Sequence, residues 1–419
     1  MDYFEIEGGR PLEGEVRISG SKNATLPIMA ASLMATEKVI LQGVPELEDV
    51  RVMAEGMRLL GASVEREGDR LVIDSRNVNQ YTLPENISRQ MRASNLIMGA
   101  LLGRFKEAHV AMPGGCAIGN RPMDQHLKGF YLMGYQIEAS KGMMSGFYKN
   151  ACGKKLIMLD FPSVGATENL MMAACLTNGT TILSNAAREP EIVDLQNFLN
   201  QIGARIRGAG EGLITIEGVD KLRGGEHKII PDRIEAGTFM AAAALTGGSI
   251  HLTNMIPKHL TAVSAKLCEM GVEVLLEHNA CRVTGGAPLR AADIRTMPYP
   301  GLPTDMQPQL MALLSMAEGT SVVKESIFEN RFMHIASLCS MGARIWNQGQ
   351  TAVVYGGRKY HGADVKATDL RAGAALVLAG LAADGVTRVH HLEHIDRGYE
   401  CFEEKLRSLG ASISRKHKE

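Results

Sequence analysis

Cations recur where this sequence starts its helices. The first residues of one recurring apolar helix read Lys22 (Ser-Lys-Asn-Ala), Arg92 (Met-Arg-Ala-Ser), Glu168 (Ala-Thr-Glu-Asn), Arg233, Asp305 and Arg371. A second series, Arg121, Arg188, Lys258, Arg331 and Arg397, lies 13, 15, 13, 11 and 13 residues before a recurring glycine. A cation at a helix N-terminus opposes the helix dipole, at a cost of about 0.3–1 kcal/mol. A bound anion offsets that cost, because it meets the cation and the free N–H groups together. Taken singly, each arginine has a plainer explanation as a solvated charge paired with a neighbour, as in Arg188-Glu189 or Asp396-Arg397. Taken together, they point to a multiply phosphorylated substrate.

Two residues depart from this pattern. Cys116 sits in Met112-Pro-Gly-Gly-Cys-Ala-Ile-Gly-Asn-Arg121-Pro-Met-Asp-Gln-His126, a connection with three glycines and two prolines that reads as a lid. A nearby arginine and helix start lower a thiol pKa, so Cys116 is the candidate reactive thiol, the alternative being an ordinary loop residue. His126 fits equally an imidazole on a helix surface. Cys175, Cys268, Cys339 and Cys401 fall in apolar helical patterns and are expected in the core. Asp305, in Gly301-Leu-Pro-Thr-Asp-Met-Gln, stands where other units carry a cation. Two readings are open for it: a carboxylate held ionised by cations and able to take a proton from a hydroxyl, or a plain N-cap.

Other motifs fail. The glycines before Lys22 have the wrong spacing for a Walker A loop, and no G-x-G-x-x-G opens a βαβ unit. His390, His391 and His394 lack further ligands for a metal. No cofactor and no metal are expected.

The elements that hold these residues repeat. A helical stretch ending in a glycine recurs at Gly61, Gly134, Gly203, Gly271, Gly342 and Gly410, at intervals of 73, 69, 68, 71 and 68. Six units of about 70 residues fill the chain. Residues 167–218 show the order most clearly: a helix stopped at Asn178-Gly179, a β-branched strand from Thr180, an amphipathic helix ending before Gly203, and a hairpin over 204–217. The unit is helix, strand, helix, strand, strand, and the expected class is α/β, with grouped repeats in which helices cover sheets.

Composition narrows the function. Of 419 residues 45% are hydrophobic and 22% charged, the profile of a globular protein, and length alone suggests two to four domains. A net charge of -1 leaves no basic field for nucleic acid or an anionic membrane. Seven scattered cysteines without a C-x-x-C pair suit a reducing compartment. With no basic, apolar leader and no apolar run of about 18 residues, a cytoplasmic location is expected.

Ser21-Lys-Asn-Ala, Met91-Arg-Ala-Ser, Pro113-Gly-Gly-Cys-Ala-Ile-Gly-Asn-Arg-Pro, Ser163-Val-Gly-Ala-Thr, Asn185-Ala-Ala-Arg-Glu-Pro-Glu, Pro231-Asp-Arg-Ile-Glu, Pro303-Thr-Asp-Met-Gln, Glu329-Asn-Arg-Phe-Met-His, Ala367-Thr-Asp-Leu-Arg and His394-Ile-Asp-Arg-Gly-Tyr-Glu follow one another in order. In these the chain resembles the UDP-N-acetylglucosamine 1-carboxyvinyltransferase family. The Cys-loop motif separates that family from its fold relative, 5-enolpyruvylshikimate-3-phosphate synthase.

The resemblance implies two similar domains of three units each, an inside-out α/β barrel of the enolpyruvyl transferase fold. Residues 22–229 would form one domain with the Cys loop, residues 1–21 and 230–419 the other with the general base, and the substrates would bind in the cleft between them. It implies transfer of enolpyruvyl from phosphoenolpyruvate to the 3-hydroxyl of UDP-N-acetylglucosamine, with no metal required; no nucleic acid or membrane partner is expected, and the sequence is silent on protein partners. By this resemblance Cys116 protonates the methylene carbon, can form an adduct with phosphoenolpyruvate and is alkylated by fosfomycin. Asp305 is the base at the sugar hydroxyl. Lys22, Arg121 and Arg397, with Arg92 and Arg371, hold the anionic groups, and Asn23 orients the sugar. Ser163, Val164, Gly165 and Arg331 lie near the nucleotide or take part in closure. Substrate contacts are implied also for Pro122, Asp124, His126, Ile327 and Asp369. Asn120 and Gln125 stand where many relatives carry a small and an apolar residue.

Overall fold

A computed structural model describes residues 2–90, 92–111, 118–119, 123–140, 142–149 and 155–417, the side chains of 89, 90 and 92 excepted. Among the described residues the strands form six sheets, one per repeat. In the repeat read most clearly from sequence, Thr180–Ser184 pairs antiparallel with Leu213–Glu217, which pairs with Arg205–Arg207. The expected hairpin is therefore present. On its other side Thr180–Ser184 pairs parallel with Lys155–Met158, an edge strand the sequence pattern does not announce. Four residues with Leu156 and Met158 turned to solvent carry no polar–apolar alternation to read.

Four further sheets have the same order: a parallel edge strand, a central strand and two antiparallel strands. The remaining one is three-stranded, with the parallel bridge Thr82↔His109 at the fourth place. In two sheets the parallel edge strand comes from far along the chain. Glu13–Arg17 pairs with Ser249–Thr253, and Gly225–Lys228 pairs with Val39–Gln42. In a third, Asp2–Glu7 lies between Val386–His390 and Ser412–His417, antiparallel to both.

The first helix of each repeat is buried, as the inside-out α/β barrel implied by the resemblance requires. Every residue of Leu370–Ala382 from Arg371 to Leu381 is buried, as is every residue of Arg233–Thr246 from Arg233 to Leu245. Their sequences are correspondingly apolar all round and rich in Ala, which lets buried helices approach closely. The second helices are amphipathic and lie outside, so one stripe alone is covered. In Thr261–Glu269 that stripe is Val263 and Leu267, and Cys268 is turned away from it. Here the expectation of core cysteines is corrected: Cys175 is buried, whereas Cys268, Cys339 and Cys401 are exposed. Each second helix ends two residues before its repeat glycine, and all six of those glycines have φ between 91° and 111°. That left-handed position at a helix C-terminus is the one a side chain resists, which is why the glycine marks the period.

Contacts divide the chain into two units. Among the described residues, an N-terminal unit takes in those of 20–111 and 123–230, and a C-terminal unit takes in 2–19, 118–119 and 231–417. Each has its own apolar core. In the C-terminal unit the helices Arg233–Thr246, Gln307–Met316 and Leu370–Ala382 pack pairwise on one another. Among the described residues no helix is long and apolar enough to cross a membrane.

Candidate active site

In the C-terminal unit Asp305 lies in the short 3-10 turn Thr304–Met306 that leads into Gln307–Met316. Met306, not Asp305, is the N-cap of that helix, so the capping reading is replaced by another. Arg331 Nη2 reaches Asp305 Oδ1 at 2.9 Å, and Arg371 Nε and Nη2 reach Oδ2 at 3.2 and 3.1 Å. The two guanidinium side chains are 3% and 2% exposed, while Asp305 keeps 27%. A carboxylate held by two arginines and still partly exposed can meet a substrate hydroxyl.

Each arginine is held in turn. Arg371 is the second residue of Leu370–Ala382, whose N-cap is Asp369; the Asp369 carboxylate accepts from the Arg371 and Ala372 backbone N–H groups. The Arg371 guanidinium lies over the Tyr399 ring at 5.3 Å. Burial opposes its charge, but Tyr399 and Asp305 hold its pKa above the ordinary value. Arg331 donates through Nη1 to Thr304 Oγ1 at 3.0 Å and stacks over Phe328 at 5.4 Å. His334 is buried beside it and pushed down to about 4 by burial, against the pull of Asp369. Ile327 follows on a turn fixed by Glu325, whose Oε1 accepts from the Ile327 N–H at 2.8 Å. Arg397 is partly buried; its neighbour Asp396 is engaged by Arg415 at 2.7 Å.

In the N-terminal unit Lys22 opens Lys22–Ser32 behind its N-cap Ser21, with Asn23 next to it in the first turn. The Lys22 ammonium lies 3.2 Å from Asp49 Oδ2, and both side chains are largely buried. Ser163 caps Val164–Cys175, its hydroxyl accepting from the Ala166 N–H at 3.3 Å. That helix begins at Val164, so Glu168 stands a full turn inside it and not at its start. Burial, with Glu191 and Glu189 adding to it, raises the Glu168 carboxyl well above its ordinary range.

His126, in Asp124–Leu132, is buried and not on the helix surface, and burial pushes it down to about 4. Asn169 Oδ1 accepts from the Gly99 N–H at 2.8 Å, which turns the amide Nδ2 toward His126 Nδ1 at 3.2 Å. Nδ1 is then the acceptor and Nε2 carries the proton. A Cβ on Gly165 would sit 3.5 and 3.6 Å from His126 Cε1 and Nε2, so the imidazole lies against the start of Val164–Cys175. A neutral N–H donor beside a helix start can meet an anion. Asp124 is exposed on the same helix, and Gln125 Oε1 accepts from the Phe161 N–H at 3.3 Å.

Cys116, Asn120, Arg121 and Pro122 lie outside the described residues, as does the side chain of Arg92. Sequence reasoning missed Thr304, Glu325, Tyr399, Asp49 and Asn169. Asn169 left one trace, an amide beside Glu168 in a helix that is otherwise mostly apolar.

The comparisons agree with this architecture. The profile of the family described as EPSP synthase (3-phosphoshikimate 1-carboxyvinyltransferase) matches residues 6–406. The crystal structure of the enolpyruvyl transferase NikO from Streptomyces tendae superposes with a TM-score of 0.90 at 27% identity, covering 100% of this chain and 99% of that one. EPSP synthase from Acinetobacter baumannii, at 20% identity and a TM-score of 0.77 over the whole of both chains, shares the fold. These define the class, an enolpyruvyl transferase fold of two three-unit domains.

Within the class the relatives are specific. UDP-N-acetylglucosamine 1-carboxyvinyltransferase 1 of Caldanaerobacter subterraneus subsp. tengcongensis is 53% identical over 413 residues, 99% of either chain. Carboxydothermus hydrogenoformans has two relatives, numbered 1 and 2, that are 52% and 53% identical over 99% of this chain and 98% and 99% of their own. The chain belongs to the UDP-N-acetylglucosamine 1-carboxyvinyltransferase family.

Proposed function

We propose that the protein transfers the enolpyruvyl group of phosphoenolpyruvate to the 3-hydroxyl of UDP-N-acetylglucosamine with release of phosphate, the first committed step of peptidoglycan synthesis. The observation that carries this reading is Asp305, a partly open carboxylate between two buried guanidiniums, in a chain more than half identical to relatives of that name. Asp305 takes the proton of the sugar hydroxyl while its oxygen attacks C2 of phosphoenolpyruvate. Cys116 gives a proton to C3. The resulting tetrahedral intermediate carries the phosphate, which leaves as a proton is withdrawn from the new methyl group.

Lys22, Arg121 and Arg397, with Arg92 and Arg371, hold the phosphate and carboxylate and the charge that develops on them. Asn23 orients the sugar. The capped start of Val164–Cys175, with Ser163, Val164, Gly165 and the His126 Nε2–H, takes the nucleotide together with Pro122 and Asp124. Ile327 borders the acceptor, and Asp369 and Arg331 keep Arg371 and Asp305 in place. The reading carries a cytoplasmic location, since an unpaired reactive thiol persists in a reducing compartment.

Phosphate release from phosphoenolpyruvate, measured with and without UDP-N-acetylglucosamine, tests the reaction; mass spectrometry after fosfomycin tests the thiol. Acceptor-dependent release and a single adduct at Cys116 are expected. An adduct without acceptor-dependent release would assign another acceptor, and neither result would end the reading. Asp305→Ala is expected to lower the maximal rate far more than it weakens nucleotide binding. A variant that loses affinity alone reassigns Asp305 to positioning.

A further inference from the structure

We propose that Glu325 is the positioning residue that sets Asp305 for proton transfer, acting through Thr304 and Arg331. The inference rests on the reading of Asp305 as the base and adds the group that orients it.

Glu325 is 1% exposed, and among the described residues every partner of its carboxylate is a donor. Its Oε1 takes the Thr296 hydroxyl at 2.7 Å and the Ile327 and Phe328 N–H groups at 2.8 and 3.3 Å; its Oε2 takes the Thr304 hydroxyl at 3.0 Å. The direction of each hydroxyl follows from proton accounting. A guanidinium has no acceptor, so Thr304 Oγ1 must accept from Arg331 Nη1. Its single hydrogen is then left for Glu325. Likewise the Ser326 N–H donates to Thr296 Oγ1 at 2.8 Å, which leaves the Thr296 hydrogen for Glu325. The chain of bonds has one direction, and the carboxylate is its sink.

Arg331 depends on that chain. Among the described residues its Nε has no hydrogen-bond partner, so Thr304 on Nη1 and Asp305 on Nη2 fix the plane of the guanidinium. The other hand of Glu325 holds the backbone of Ile327 and Phe328, and the Phe328 ring lies under the same guanidinium. One buried carboxylate therefore fixes Arg331 edge-on through Thr304 and face-on through Phe328. Arg331 in turn fixes Asp305 Oδ1.

An amide in place of the carboxylate keeps the shape but presents a donor where a donor already points. Glu325→Gln is therefore expected to lower kcat by at least about tenfold, the loss of a hydrogen bond in a charged network, with the KM for UDP-N-acetylglucosamine within about threefold of the parent. Thr304→Val removes the relay without touching the other partners of Glu325 and is expected to give the same split, while Thr304→Ser restores the rate. Thermal unfolding of each variant reports folding, and if Glu325→Gln does not fold, Thr304→Val decides. Unchanged kcat in Thr304→Val, beside an inactive Asp305→Asn, overturns the positioning role and leaves the base in place. Full activity in Asp305→Asn removes the base and the positioning role together.

Discussion

The imidazole of His126 is neutral because burial removes its water and its Nδ1 already accepts from Asn169. Its pKa is pushed down to about 4, below the ~6.5 of an unfolded histidine. The unfolded chain therefore binds more protons between these values, so stability is greatest above pH ~6.5 and falls as the pH drops toward 4. His334, pushed down to about 4 by burial, adds the same sign. For one such histidine the loss between pH 7.5 and 5 is about 2 kcal/mol. His126→Asn is expected to remove its share of that dependence, leaving the part from His334. Urea unfolding at the two pH values checks this, and an unchanged pH dependence in the variant would move the titration elsewhere. At the same scale Asp305 was legible because it replaced a cation in a periodic position. Glu325 was not, since its meaning lies in Thr296 and Thr304, 29 and 21 residues away.

Between elements, the helices Leu96–Phe105 and Val164–Cys175 cross at Gly99. A Cβ there would lie 2.5 Å from both the backbone and side-chain oxygens of Asn169 and 2.9 Å from its Cα. Backbone at that distance cannot be moved by a rotamer change, so Gly99→Ala must separate the helices or bend one of them. The expected cost is about 1–3 kcal/mol in urea unfolding, despite the better helix propensity of Ala. Because Asn169 also orients His126, nucleotide affinity should fall with it. A stability equal to the parent's would mean the crossing is looser than it stands. The repeat glycines show why elements were more legible than sites. Gly61, Gly134, Gly203, Gly271, Gly342 and Gly410 answer a local backbone demand, and a local demand writes itself into spacing. The parallel edge strands answer a distant one. Gly225–Lys228 pairs with Val39–Gln42, nearly half the chain away, and four half-exposed residues carry no sign of it.

Over the whole chain, the sixth repeat is short of one strand, and the first strand supplies it. In the third repeat the order is Arg205–Arg207, Leu213–Glu217, Thr180–Ser184, Lys155–Met158; in the sixth it is Ser412–His417, Asp2–Glu7, Val386–His390, Asp364–Lys366. Asp2–Glu7 therefore stands where every other repeat has the return strand of its hairpin, with Phe4 and Ile6 fully buried. Its register places Asp2 opposite His417, so a short loop from 417 to 2 would close an ordinary hairpin. A permuted chain that begins at Arg10 and continues from Glu419 through two added glycines into residues 1–9 is expected to fold and to keep its turnover. The cut falls between Gly9 and Arg10, both exposed, and leaves every strand pairing of the sixth sheet intact. Deleting residues 2–7 without replacing them strips the middle of that sheet and should leave the C-terminal unit unfolded. Circular dichroism, thermal unfolding and phosphate release on the two chains separate the cases. If the permuted chain fails as the deletion does, the covalent order of the first strand matters beyond its pairing; if it matches the parent, six equal repeats are enough to specify the fold, wherever the chain is opened.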